Sequence, residues 1–115
     1  MYKEAIGSYN VVLKILPELY LAYHGRALAY YKEGMVERSL EDFNRAIEIK
    51  PDYASALRNR GVVYANERMF IEACADLNKA IEIYEARLGS GEEIFNREQI
   101  ESELLETTSQ LSSCQ

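Results

Sequence analysis

The sequence predicts an all-α fold of antiparallel helical hairpins stacked as a short right-handed solenoid, read as one domain over residues 1–115. Three observations lead there. Residues of one size class recur at an offset of 34 positions. Within each period the apolar residues return at helical spacing, not in strand-like alternation. Pro17, Gly34, Pro51, Gly89 and Gly91 fall at the joints between the apolar runs.

The period is carried by sets of residues. Ala5, Ser39 and Ala73 fall into register, as do Tyr9, Phe43 and Leu77, then Val12, Ala46 and Ala80, then Leu13, Ile47 and Ile81. Ala27 with Gly61, Tyr30 with Tyr64, and Arg26 with Arg60 extend the register into the preceding segment of each repeat. A unit of this length, too small to bury its own apolar face, is a helical pair that stacks on its neighbours.

Helices are predicted at 2–15, 20–33, 36–49, 53–67, 70–88 and 92–111. The first ends before Pro17, which cannot continue a helix, and Glu18 helps to start the next. Gly34 closes the second, because glycine enters the left-handed backbone region without a Cβ penalty. Pro51 stops the third, and Asp52 is placed to cap the fourth. Arg68 stands where Gly34 stands one period earlier, so this turn is expected either to differ or to be less relaxed. Ser90 with Glu93 reads as a capping box opening the last helix, whose stripe of Ile100, Leu104 and Leu111 is expected to seal the end of the stack.

Small residues at Ala27, Ser39 and Ala46, and again at Gly61, Ala73 and Ala80, let helix backbones approach closely, while Tyr23, Tyr30 and Phe43 fill the larger spaces. Arg26 and Asp42 belong to one repeat and Arg60 and Asp76 to the next, with the same separation of 16. Such arginines serve either as anion hooks for an acidic peptide or as internal clamps satisfied by their own aspartates. The fixed offset favours the clamp.

Composition narrows the function. Residues 92–115 hold six Glu against one Arg, most of the net charge of −6, and the remaining 91 residues are close to neutral. Without a basic stripe, nucleic acid and anionic membrane are poor partners. No apolar run is long enough to span a bilayer and no secretory signal opens the chain, so a cytoplasmic protein is expected. Cys74 and Cys114 have no companions at metal-ligand spacing; Cys74 reads as a small packed hydrophobe and Cys114 as a free thiol. His24, the single histidine, has no nucleophile or carboxylate at relay spacing. No metal, cofactor or catalytic residue is expected, and the chain is read as a non-enzyme.

Tyr23, Ala27, Tyr30, Gly34, Ser39, Phe43, Ala46 and Pro51 match, one by one, the pattern of the tetratricopeptide repeat (TPR), which this stretch resembles. Leu57, Gly61, Tyr64, Ala73, Leu77 and Ala80 match it again, while Arg68 and Glu85 depart from its Gly and Pro positions. The resemblance divides the chain into the second helix of an incomplete repeat (1–19), repeats at 20–53 and 54–87, and a capping helix at 92–111.

The resemblance implies a protein-binding scaffold or adaptor whose inner surface, lined by the first helix of each repeat, accepts a peptide. Carried over by position, that surface comprises Leu21, His24, Leu28, Tyr31 and Lys32 from one repeat. Ser55, Arg58, Asn59, Val62 and Asn66 come from the next. Asn59 sits where chaperone-tail binders place an asparagine, but Gly25 holds the matching position one repeat earlier, which leaves their carboxylate clamp incomplete. Met1 falls inside a repeat, so Tyr2, Ala5, Tyr9 and Val12 are expected to lack a covering helix. Either the chain is a piece of a longer array, or a second copy covers them in a homo-oligomer. The alternative function is accordingly a structural assembly or self-association unit.

Overall fold

In a computed structural model, which describes residues 1–89 and 97–111, the chain forms six helices and, among those residues, no strand. They are α1 (Tyr2–Ile15), α2 (Tyr20–Lys32), α3 (Val36–Ile49), α4 (Ala54–Asn66), α5 (Phe70–Leu88) and α6 (Arg97–Leu111). The predicted bounds of α1, α3 and α5 coincide with these, α2 ends one residue earlier, and α4 is one residue shorter at each end. The Ser90–Glu93 capping box and positions 92–96 of the predicted last helix lie outside the described residues. The chain forms two compact units, Met1–Ala56 and Leu57–Gln115.

In the first unit α2 and α3 make an antiparallel hairpin. Contacts climb one helix as they descend the other: Arg45 reaches the ring of Tyr23, Asp42 meets Arg26, and Arg38 reaches the ring of Tyr30. The crossing closes on Ala27, Ser39, Phe43 and Ala46, all fully buried. Burial of a phenylalanine of this kind is worth about 2 kcal/mol relative to exposure. Ser39 occupies a slot that is alanine in the other repeat, and its buried hydroxyl donates to the Ala27 carbonyl at 2.8 Å. That bond offsets a desolvation penalty of about 1–3 kcal/mol.

In the second unit α4 packs on α5 at Gly61. A Cβ there would stand 3.1 Å from Leu77 Cδ2 and 3.2 Å from Asp76 Cβ, so glycine sets the approach of the two helices. Ala73, Leu77 and Ala80 are buried beneath it. Where α3 meets Pro51, the equivalent position in α5 is Glu85 and the helix runs on to Leu88, burying Tyr84. α6 docks on α5. Ile100 is buried as expected, Leu104 and Leu111 are only half-buried, and Thr107 is fully buried with its hydroxyl donating to the Glu103 carbonyl at 2.6 Å.

The turn at Arg68 resolves the choice left open by the sequence. Gly34 has φ +78° and Arg68 has φ +62°. The Gly34 N–H donates to Tyr31 O at 3.0 Å and the Met35 N–H to Tyr30 O at 2.9 Å. One period on, the Arg68 N–H donates to Ala65 O at 3.0 Å and the Met69 N–H to Tyr64 O at 2.8 Å. Both are Schellman closures. The turn does not differ; it is less relaxed, because the Arg68 Cβ crowds its own backbone in the left-handed region.

Cys74 corrects the sequence reading: it is disulfide-bonded, not an inert packed thiol. Cys114 lies outside the described residues.

Candidate functional site

On α2 the residues Ala22, Ala27, Ala29 and Tyr30 are turned into the first unit and buried. Helical geometry then sends Leu21 and Leu28, seven positions apart, to the opposite side, where they are 53% and 36% exposed. Lys32 is exposed beside them and Tyr31 is half-buried. Three of the five candidates on this helix, Leu21, Leu28 and Lys32, are exposed.

His24 is not. It is half-buried, with its ring 5.0 Å from Tyr53 and 5.9 Å from Phe43. Its Nδ1 stands 3.0 Å from the Tyr53 hydroxyl. Tyr20 stacks edge-on against the other side of Tyr53 at 5.0 Å. His24 is therefore part of an aromatic cluster that holds the start of α2 to the turn before α4. Its value lies in packing and one hydrogen bond.

Gly25 carries a contact that sequence reasoning missed. A Cβ at this position would collide with Oη and Cζ of Tyr9, whose ring lies directly on the α2 backbone. The signal was present: a glycine inside a helix away from any turn marks a close approach. Tyr9 is half-buried as a result, as are Ala5 and Val12, while Tyr2 stays exposed. The more exposed apolar side chains of α1 are Val11 and Ile15.

On α4, Ser55 lies in the first unit and is half-buried. In the second unit Arg58, Asn59 and Val62 are half-buried and Asn66 is exposed. Arg58 is engaged from α6: its Nη1 stands 3.2 Å from Glu106 Oε2. Nothing in the spacing of the two residues, 48 apart in the chain, announces that pair.

The repeated arginines are internal. Arg26 Nε and Nη2 donate to the two Asp42 oxygens at 2.7 and 2.8 Å, and Arg60 does the same to Asp76 at 2.7 Å on both arms. Both aspartates are buried. The hydrogen-bonded aspartate raises each arginine pKa above its ordinary value against the opposing effect of burial. Arg26 also donates from Nη1 to Asn10 Oδ1 at 2.8 Å, so it ties α1, α2 and α3 together. Its guanidinium lies between Tyr23 and Tyr30, 5.6 and 5.7 Å from the ring centroids, with Arg45 and Arg38 at the far ends of the row. That alternating stack was not foreseen. The Arg60 guanidinium lies over the Tyr64 ring, 5.7 Å from its centroid.

Among the described residues no group of three His, Cys, Asp or Glu side chains is placed to hold a metal, and no helix is long and apolar enough to cross a membrane.

Helical hairpins closed by small residues and repeating every 34 positions define a helical-repeat protein of the solenoid class. Residues 29–67 match the family profile described as "TPR repeat" and residues 54–87 the one described as "Tetratricopeptide repeat". The chain belongs to the tetratricopeptide repeat family.

Solved structures agree on the fold. The first TPR domain of Spaghetti (RPAP3), solved bound to the HSP90 peptide SRMEEVD, is 22% identical, with a TM-score of 0.69 over 96% of this chain and 80% of that one. The TPR2B domain of yeast Sti1, in its pHsp70 complex, is 22% identical with a TM-score of 0.71, covering 95% and 84%. The Sgt2 TPR domain from Aspergillus fumigatus is 24% identical with a TM-score of 0.69, covering 96% and 68%. No curated protein matches the chain.

Proposed function

We propose that the chain is a protein- or peptide-binding scaffold that docks a segment of a partner protein on the accessible side of a first helix, α2 in the first unit, with α4 offering a surface of its own in the second. The observation that carries this reading is the stripe of Leu21 and Leu28 on α2, left open to water beside Lys32 while Ala22, Ala27, Ala29 and Tyr30 are buried. Apolar side chains next to polar ones suit a short segment whose own residues alternate in character. On α4, Ser55, Arg58, Asn59 and Asn66 are the polar candidates and Val62 the apolar one. The similar domains of Spaghetti and Sti1 were solved with an HSP90 peptide and with pHsp70, which supports peptide docking as the mode.

The same geometry argues against a chaperone-tail clamp. Tyr9 fills the space beside Gly25 that an asparagine side chain would need. The partner is therefore read as a mixed apolar and polar segment. The chain is not proposed to catalyse a reaction.

Panning a random peptide library on the intact chain, and again on Leu28→Asp and Tyr31→Ala, tests the reading. Selected peptides are expected to lose binding to both variants; retention by both would sink it.

A further inference from the structure

Cys74 on α5 is half-buried and disulfide-bonded, and the sequence holds one other cysteine, Cys114. The register of the helices in the second unit brings the two within reach. α4 and α5 run antiparallel across the turn at Arg68, with Gly61 over Leu77 and Asp76 and with Arg60 on Asp76. Arg58, further back along α4, therefore stands level with Lys79 and Ala80 on α5. Glu106 meets Arg58 at 3.2 Å, which puts the middle of α6 at that same level. Nine positions separate Lys79 from Leu88 and nine separate Arg97 from Glu106, so α6, returning along α5 from its end, reaches this level with equal rise. Five residues on, about 7.5 Å of helix, α6 ends at Leu111, and five residues back from Lys79 stands Cys74. Cys114 follows Leu111 by three residues, roughly 10 Å of extended chain. That reach spans the step from helices about 8–10 Å apart to the Cα separation of about 5.5–6 Å that a disulfide needs.

We propose that Cys74 and Cys114 form a reversible disulfide, closed under oxidising and open under reducing conditions, which decides whether α6 stays docked on α5. The latch matters because little else holds this helix. Of its fifteen residues only Ile100 and Thr107 are buried, with Leu104 and Leu111 half-buried. Its ion pair to α4 is made by a Glu106 that is 61% exposed, and such pairs add little. Glu98, Glu101, Glu103 and Glu106 load it with like charge, and a helix of this length is marginal in water by itself. Once the bond opens, α6 belongs to the least stable part of the chain and can leave α5 while the α4–α5 hairpin, closed at Gly61 and by the Arg60–Asp76 clamp, persists. Oxidised glutathione suffices to close the latch. The thiolate of one cysteine attacks its S–S bond and expels one glutathione thiolate; the second cysteine's thiolate attacks the mixed disulfide and expels the other. The two protons lost by the cysteines end on the two glutathione thiols, and reduction runs the same steps in reverse. The latch does not rest on the peptide-binding reading.

The test combines mass spectrometry with amide hydrogen exchange on the full chain. Non-reducing proteolysis of the oxidised monomer is expected to give a peptide pair joined through Cys74 and Cys114. Adding dithiothreitol should speed exchange over Arg97–Leu111 about tenfold or more, as befits the loss of a cross-link, and leave α2 and α3 unchanged. This readout uses the unaltered chain and depends on no variant folding. Cys74→Ser and Cys114→Ser, held in oxidising buffer, should exchange over the same residues at the reduced rate. Mixtures of reduced and oxidised glutathione should carry the chain back and forth between the two rates. Cysteines joined only between chains, exchange over α6 that ignores dithiothreitol, or a bond that excess reduced glutathione does not open overturns the proposal.

Discussion

The ring of Tyr9 lies against the backbone of α2 at Gly25, in the volume that any other residue at that position would need for its Cβ. One tyrosine thereby joins α1 to the hairpin that follows it, and one glycine makes the contact possible.

Gly25→Asn is accordingly expected to destabilise the chain by about 1–3 kcal/mol through overpacking. Tyr9→Ala should cost less in the Gly25→Asn background than alone, since the double variant has room for both side chains. Thermal melts of the four chains give the coupling energy; additive losses would show that the two side chains do not compete for the same space.

Arg68 carries strain that Gly34 avoids, although their hydrogen-bond patterns coincide. Arg68→Gly should stabilise the chain by about 0.5–1 kcal/mol, the left-handed penalty less the greater entropy glycine loses on folding. Gly34→Ala should destabilise it by about 1 kcal/mol. Urea midpoints read both shifts, and a fall in midpoint for Arg68→Gly would contradict the assignment of strain.

The Arg60–Asp76 pair is expected to behave as a buried clamp. Removing either partner alone should cost about 3 kcal/mol, because an uncompensated charge remains in a mostly buried place. Removing both should cost clearly less than the sum, and a double-mutant cycle measures the difference. Because Asp76 raises the Arg60 pKa, the arginine's share of this stability is complete below its ordinary value and is lost only as base carries the pH past the raised one. Titration from neutrality to pH about 10 should leave that share intact; a loss there would point to other groups.

Helix crossings closed by small residues should reject larger ones. Gly61→Leu and Ala80→Leu are each expected to destabilise by about 1–3 kcal/mol, since a Cβ at Gly61 already approaches Leu77 at 3.1 Å and Ala80 is fully buried. Calorimetric melting temperatures close to the parent value for both would argue against close packing at these sites.

Much of this molecule follows from features that act over a few residues. Pro17, Gly34 and Pro51 stop helices wherever they stand, and the spacing of Leu40, Phe43 and Ile47 makes one face apolar before anything packs against it. The Arg26–Asp42 and Arg60–Asp76 clamps were legible for a related reason: a repeat copies its internal contacts at a constant offset. The candidate face on α2 was partly legible. Leu21, Leu28 and Lys32 are open, but His24 turned to Tyr53 and Phe43, because a position on a helix says where a side chain starts and not which neighbour it meets.

The repeat, its helices and its paired charges were thus written in the order of residues, since each depends on local backbone preference or on a motif used twice. The seat of Tyr9 on Gly25, the row of arginines and tyrosines around Arg26, and the hold of Glu106 on Arg58 were settled only when helices far apart in the chain came together. Those contacts occur once each, without a repeated offset to betray them, and depend on distances of a few tenths of an ångström that packing alone sets.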